Sequence, residues 1–526
     1  MAAATTTTAI PSPRAGTGFE TRKLVAFIAM VFGMFMAILD IQIVSASLSD
    51  IQAGLSASAD EISWVQTSYL IAEVIMIPLS GTLSRMMSTR ILFTLSASGF
   101  TIASLLCAQA TSITEMIVFR TFQGFIGGAM IPTVFAASFA IFPADKRPII
   151  TPLIGLIATL APTIGPTVGG YLTEIYSWHW LFLVNVGPGI VVASLVWFLV
   201  DFDEPDWSLF KEFDWLGLAA MAVFLGTAEY VLEEGPANDW FDDAAVRYAA
   251  IAFVAGMILF FWRTLSARQP IVDLSAFGNR NFATGAFFSF VMGIGLYGLT
   301  FLYPVFLSRV RGYSSMMIGE TMFVTGIAMF LAAPIVGRLS VRVDPRILIA
   351  LGFAGFALGT WQASFVTKDW SFNELLVPQI LRGFCLMLCM VPITNAALGT
   401  LAPNRLKNAS GLFNLTRNLG GAVGLALINT ALNDRMDLHL ERLREQISWG
   451  RDVAVSTLNT MTQALGPLGS DASNGALAQM ARIVRREATV MAIGDVFFLL
   501  TLLFAAIVLL TPLMQRPKST AGGSGH

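Results

Sequence analysis

Lysine, histidine and cysteine are scarce in this chain, and each scarcity removes a class of function. None of the six lysines follows a glycine, so the phosphate-binding pattern Gly-x-x-x-x-Gly-Lys-Ser/Thr occurs nowhere and the polypeptide has no Walker-type ATP site of its own. Any work it performs must draw on an ion gradient or on a partner. His179, His439 and His526 are too few and too scattered for a metal cluster, and no Ser/His/Asp grouping falls on one face, which disfavours an enzyme. Cys107, Cys385 and Cys389 all lie in apolar runs. The last two share a helix face at i, i+4, where small packing residues are a simpler reading than metal ligands or a disulfide. Charge is sparse as well, and a net charge of −2 gives no reason to expect a nucleic-acid partner.

What fills the chain instead is hydrocarbon. With 55% hydrophobic and 13% charged residues and a mean hydropathy of +0.70, it lies outside the range of soluble domains. Roughly 20 apolar residues in helix cross about 30 Å of bilayer core. Fourteen runs qualify, near 24–47, 62–83, 91–110, 115–142, 149–172, 180–200, 214–233, 246–265, 281–308, 317–338, 346–366, 374–399, 410–432 and 488–512. Gly and Pro recur inside them, which suits helices and not barrel strands, so the expected class is an all-α membrane protein with 14 transmembrane helices. No cleaved secretory signal is evident, since residues 1–20 are rich in Ala, Thr and Pro and the first run is too long for one.

A short signature recurs. Pro78, Gly81, Leu83, Ser84, Arg90, Ile91 and Leu92 return as Pro334, Gly337, Leu339, Ser340, Arg346, Ile347 and Leu348, a constant 256 residues later. Duplication predicts two six-helix pseudo-repeat bundles with a cleft between them at mid-membrane, where secondary transporters hold their cargo. The expected organisation is a disordered cytoplasmic tail (1–20), an N-terminal bundle (21–200), a two-helix insertion (201–280), a C-terminal bundle (281–512) holding a periplasmic loop (433–487), and a cytoplasmic tail (513–526). The hairpin has no counterpart in the repeat; it either lines a side entrance or bridges the halves.

Basic residues set the orientation. Arg22, Lys23, Arg85, Arg90, Lys146, Arg147, Arg263, Arg268, Arg280, Arg342, Arg346, Arg405, Lys407, Arg516 and Lys518 all fall on one side, predicted cytoplasmic together with both termini. Asp50, Asp60, Glu61, Glu233, Glu234, Asp239, Asp242 and Asp243 lie opposite. Arg309 and Arg311, and an acidic loop of Asp201, Asp203, Glu204 and Asp206 after span 6, run against the rule.

Ions inside the spans are costly, about 2.5 to 3.5 kcal/mol each even on lenient scales, and so require a reason to exist. Asp40 in span 1, Glu73 in span 2 and Arg120 in span 4 are the clearest, followed by Arg382 and Asp495. A buried carboxylate beside an arginine can load a proton from one side and release it to the other; the alternative is a static pair tying helices together.

Four stretches carry a family resemblance: Leu39-Asp40-x-x-Ile43-Val44; Arg120-x-x-Gln123-Gly124; Ala161-Pro162-x-x-Gly165-Pro166-x-x-Gly169-Gly170; and Trp178-x-Trp180-x-Phe182-x-x-Asn185-x-x-Pro188. They resemble the major facilitator superfamily, and within it the fourteen-span drug:proton antiporters of the EmrB/QacA type. The resemblance implies proton transfer at Arg120 and an outer gate, which suppresses leak, at Gly165, Pro166, Gly169 and Gly170. It departs at the loop after span 2. That loop normally reads Gly-x-Leu-Ala-Asp-Arg-x-Gly-Arg-Arg, whereas Arg85 stands where the acid belongs, and Val341 does so in the second copy, leaving the usual inner-gate salt bridge in question.

The expected function is proton-coupled export of amphipathic or hydrophobic compounds or drugs by alternating access across a bacterial inner membrane, with antibiotic resistance as its outcome and no cofactor beyond the proton gradient. Export of one defined metabolite, such as a siderophore or organic acid, is the alternative. Proton-coupling candidates are Asp40, Glu73 and Arg120; substrate candidates are Tyr69, Gln123, Tyr297, Phe301, Met387 and Asn395, polar or aromatic groups at mid-span near the repeat axis. The EmrB resemblance implies a periplasmic adaptor and an outer-membrane channel as partners, with residues 433–487 either the docking segment or a self-packed cap.

Overall fold

The computed structural model describes residues 21–45, 47–143, 146–447, 450–465 and 471–515. The two predicted tails thus lie almost wholly outside the described residues, as do Arg516, Lys518 and His526 and the side chains of Asp60 and Arg147. Helices account for nearly everything described, and no strand occurs among those residues. In chain order the long ones are α1 (Thr21–Ser45), α2 (Trp64–Met87), α3 (Thr89–Cys107), α4 (Ile113–Ile141), α5 (Arg147–Ile175), α6 (Trp180–Leu199), α7 (Trp215–Glu234), α8 (Ala244–Ser266), α9 (Arg280–Arg309), α10 (Ser315–Arg342), α11 (Pro345–Ala363), α12 (Phe372–Leu398), α13 (Leu406–Gln446) and α14 (Ala472–Leu510). By length and composition 12 of the described helices can cross a membrane, or 13 when the bent α5 is counted.

Several starts are written locally. Ser112, Asp214, Asn279, Ser314 and Asp344 each accept a backbone N–H of the following first turn. Side chains that point outward, such as Ile251, Ile258 and Leu265 of α8, are aliphatic and exposed, as a lipid-facing surface requires.

Three local features position the site. Gly124 of α4 lies so close to α2 that a Cβ there would stand 2.3 Å from the Tyr69 carbonyl oxygen, and at Gly128 it would stand 3.0 Å from that of Glu73. This backbone contact sets the height of Arg120 against α2. The helix α5 bends by 43° at its centre, where Pro162 and Pro166 lack the donors for the i−4 carbonyls. The bend seats Gly165 and Gly169 on α1, where a Cβ would meet Gln42 Cβ at 2.3 Å and the Ile43 carbonyl oxygen at 2.5 Å.

The two copies of the duplicated signature occupy matching places, each straddling the end of one helix and the start of the next, α2 with α3 and α10 with α11. The outer segment 433–487, whose polar start over 434–445 has a helical pattern in the sequence, is largely helical. α13 runs on to Gln446, a short helix covers Asp452–Ala464, and α14 begins at Ala472. His439 and Arg435 of the extended α13 face Asp495 of α14 at 2.9 and 3.8 Å, which is where the acid predicted to lie early in span 14 finds its partners. The cysteines Cys385 and Cys389 of α12 are free and buried against Gly355 and Gly352 of α11, filling the space those glycines leave.

Candidate functional site

A charge cluster without solvent contact joins α1, α3, α4 and α6. Arg120 Nη1 donates to Asp40 Oδ2 at 2.5 Å, and both side chains are fully buried. The same nitrogen reaches Gln123 Oε1 at 2.7 Å, and Arg120 Nε donates to the Val65 carbonyl of α2 at 3.1 Å. Asp40 Oδ1 accepts from Asn185 Nδ2 at 2.7 Å and Gln123 Nε2 at 3.1 Å, while Gln123 Nε2 also donates to Ser104 Oγ at 2.8 Å. The Arg120 guanidinium lies 4.2 Å from the ring centroid of Tyr69. That stacking occupies its face while Nη2 makes no hydrogen bond. Burying two ions costs several kcal/mol apiece, and only this density of compensating bonds makes the pair tolerable.

Glu73, on α2, stands apart. Its side chain is 3% exposed, yet among the described residues Oε1 has no hydrogen-bond partner. It lies within electrostatic range of Arg120, Asp40 and Arg417. Arg417 of α13 donates through Nη2 to Asn414 Oδ1 at 2.5 Å and lies over the Phe135 ring, while among the described residues Nε and Nη1 have no hydrogen-bond partner. Arg382 of α12 donates to Thr300 of α9 and stacks near Tyr303. Buried charge of both signs therefore faces the interior from α1, α2, α4, α12 and α13.

Above this tier a cavity of about 470 Å³ opens at the end opposite the basic loops, lined by Gln42, Gln66, Glu233, Tyr297, Phe301 and Asn429 among others. Pro166 of the α5 motif forms part of its wall. At the basic end the molecule is closed. A Cβ at Gly81 would sit 2.7 Å from Asn408 Cα, and one at Gly411 3.0 Å from the Ile77 carbonyl oxygen, so α2 and α13 touch backbone to backbone. Lys407 Nζ pairs with Asp203 Oδ2 at 2.5 Å and donates to the Ser84 carbonyl at 3.0 Å. Asp203 Oδ2 also accepts from Thr89 N and Oγ1 at 2.8 and 2.7 Å. The acid missing from the loop after span 2 is supplied from the loop after α6.

The structure separates the substrate candidates. Tyr297 and Phe301 line the cavity. Tyr69 and Gln123 are fully buried in the Asp40 and Arg120 cluster and do not line that cavity. Met387 is buried against Gly155, and Asn395 accepts from Thr151 Oγ1 at 2.9 Å within the basic-end closure. Among the gate candidates Gly165 and Gly169 make the α1 contact. Sequence reasoning passed over Asn185, Ser104 and Asp203 as site residues. Asn185 stood in a quoted motif, and Asp203 belonged to the loop that broke the charge rule, so both left a trace.

Residues 30–425 match the family model described as Major Facilitator Superfamily. The chain is 42% identical over 492 residues to the colistin resistance protein EmrB of Acinetobacter baumannii, covering 94% of this chain and 96% of that one. It is 29% identical to the multidrug export protein EmrB of Escherichia coli, over 95% and 96% of the two chains. Among solved structures it superposes on the proton:xylose symporter XylE with a TM-score of 0.57 at 11% identity, over 93% of this chain and 96% of the other. A helical bundle with charge buried at its centre, and this kinship along nearly its full length, place the chain in the Major Facilitator Superfamily of multi-pass membrane transporters, in its EmrB branch.

Proposed function

We propose that this protein is a proton-coupled antiporter that exports amphipathic or hydrophobic compounds, drugs among them, by alternating access across the bacterial inner membrane. The observation that carries this reading is the fully buried Asp40 and Arg120 pair beneath a cavity open to one end only. A proton arriving on Asp40 would cancel its charge and leave Arg120 uncompensated, which favours a rearrangement. Gln42 and Ile43, which meet Gly165 and Gly169, follow Asp40 within a turn of α1, so that rearrangement bears directly on the α5 gate. The names of the relatives, colistin resistance and multidrug export, support export of varied cargo.

The same reading takes α13 as a further span, completing 14, with pseudo-repeat bundles at 21–200 and 281–512 and the insertion at 201–280 between them. The charged Arg417 and the neutral but polar Asn418 and Asn429 lower the hydropathy of α13, which keeps it out of the 12 helices counted above. The basic loops argue for both termini in the cytoplasm. No cofactor is required, because the proton gradient supplies the energy. Residues 433–487, in this orientation, project into the periplasm and dock an adaptor that leads to an outer-membrane channel. Deleting them should abolish adaptor capture; unchanged capture would assign them instead to a cap.

Reconstitution into liposomes with an imposed pH step and a panel of dyes tests energy source and direction together. Transport of several unrelated dyes, lost when a protonophore collapses the gradient, is expected. Equal transport after collapse, with no other ion required, ends the antiport reading, and movement of only one chemical type would favour a dedicated metabolite exporter.

A further inference from the structure

The inserted hairpin does more than join the halves. α7 packs against both α2 and α13. Towards α2, Trp64 stacks on Tyr230 at 5.5 Å, Thr67 Oγ1 donates to Glu234 Oε1 at 3.1 Å, and Gly226 lets Ile71 and Ile75 approach. Just beyond the end of α7, Trp240 Nε1 donates to Thr430 Oγ1 of α13 at 2.9 Å and Asn433 Nδ2 of α13 donates to the Pro236 carbonyl at 3.3 Å. The helix therefore fills the seam between α2 and α13 at the open end.

That placement carries an acid into the interior. Glu229 of α7 is 7% exposed and forms no ion pair among the described residues. One turn closer to the open end, Glu233 lines the cavity wall; the two are i and i+4 on one face, about 6 Å apart along the axis. Glu229 lies within electrostatic range of Glu73 as well as Glu233. Glu73 in turn has the unpartnered, buried Oε1 described above. Three carboxylates thus descend from the cavity towards Arg120, and among the described residues no hydrogen bond holds either of the inner two.

We infer that Glu229 is a proton-relay residue, taking a proton from Glu233 at the cavity wall and passing it to Glu73, so that the inserted helix supplies the outer half of the proton path. The balance is simple: one proton moves inward and each carboxylate returns to its starting state once the next has accepted. The groups around Glu229 suit the task. α2 offers Glu73, α9 offers Tyr297, and α13 offers Arg417, whose unpartnered Nε and Nη1 can compensate the Glu73 carboxylate once its proton has moved on. The basic groups of α8 are engaged elsewhere, Arg247 on the Phe241 carbonyl and Arg263 on Asp214, while Tyr248 faces outward. This inference rests on the proton-coupled reading above.

The test uses the full chain in proteoliposomes with rhodamine 6G as probe. In Glu229→Gln, transport driven by a pH step should fall about tenfold or more, while counterflow without a gradient falls less than about threefold, and Glu229→Asp should regain at least half the driven rate. Driven transport within twofold of wild type, or a parallel fall in both modes, overturns the relay. If Glu229→Gln does not fold, Glu233→Gln is read instead: its driven rate should drop about threefold at neutral outer pH and recover in acid, and no drop overturns the proposal. If wild type shows no gradient-driven transport, the antiport reading has failed on its own. Infrared difference spectra of the purified protein on acidification then decide the narrower point. Loss of part of the protonated-carboxyl band in Glu229→Gln supports a proton-carrying Glu229, and an unchanged band rejects it.

Discussion

Lys407 Nζ and Asp203 Oδ2 meet at 2.5 Å across the seam between α13 and the loop after α6, and the same carboxylate oxygen holds the first turn of α3 through Thr89. With side chains 21% and 14% exposed, the pair is shielded enough to matter. It stands where α2 and α13 touch backbone to backbone, so it closes the basic end. Asp203→Asn should weaken the closure by about 1.5 to 3 kcal/mol, the range of a charge-assisted bond. Amide hydrogen exchange over Leu406 to Gly411 should accelerate in that variant while the outer half of α13 stays protected. Unchanged exchange would mean that the backbone contacts alone keep this end shut.

The Asp40 and Arg120 pair predicts a distinctive double-mutant cycle. Asp40→Asn alone leaves a buried guanidinium without its counter-ion and should cost about 3 to 5 kcal/mol, read as a lower melting temperature. Adding Arg120→Leu should recover part of that loss. If the pair only tied helices together, the double variant would also recover gradient-driven transport. Loss of driven transport in a well-folded double variant marks the pair as a coupling device.

Asn185 gives Asp40 its shortest neutral donor, at 2.7 Å. Asn185→Ala should therefore destabilise the protein by about 1.5 to 3 kcal/mol, whereas the same change at exposed Gln109 should do almost nothing. Thermal unfolding in detergent compares the two.

Gly165 and Gly169 touch α1 at 2.3 and 2.5 Å from where a Cβ would stand, but Gly187 has nothing within 4 Å. Alanine at either of the first two should force α5 and α1 apart, costing about 1 to 3 kcal/mol, and should raise proton leak in liposomes. Gly187→Ala should leave leak at the wild-type level.

The helical architecture and the central pair were legible because an ion in a long apolar run is conspicuous on one strand of text. Tertiary supply of a missing group was not. Arg85 where an acid was expected made the loop after span 2 look defective, and only folding shows Asp203 filling the vacancy from more than a hundred residues downstream. Composition also misjudged two borders. Glu233 and Glu234 resemble loop residues, yet they form the last turn of α7, because Glu234 is satisfied by Thr67 of α2. The polar start of the predicted outer loop continues α13 by four turns, since His439 and Arg435 gain Asp495 as a partner. Of the cavity residues, Tyr297 and Phe301 were reachable from mid-span position, whereas Tyr69 and Gln123 have the same signature but face the ion pair.

The three thiols, sealed against neighbouring helices, have a practical consequence. A membrane-impermeant maleimide meets no native sulfhydryl in the folded protein, so single reporter cysteines placed along the cavity mouth can be read without first stripping the chain of its own. Distances between pairs of such reporters would then follow the opening and closing of the two ends directly, in a molecule otherwise left as it occurs.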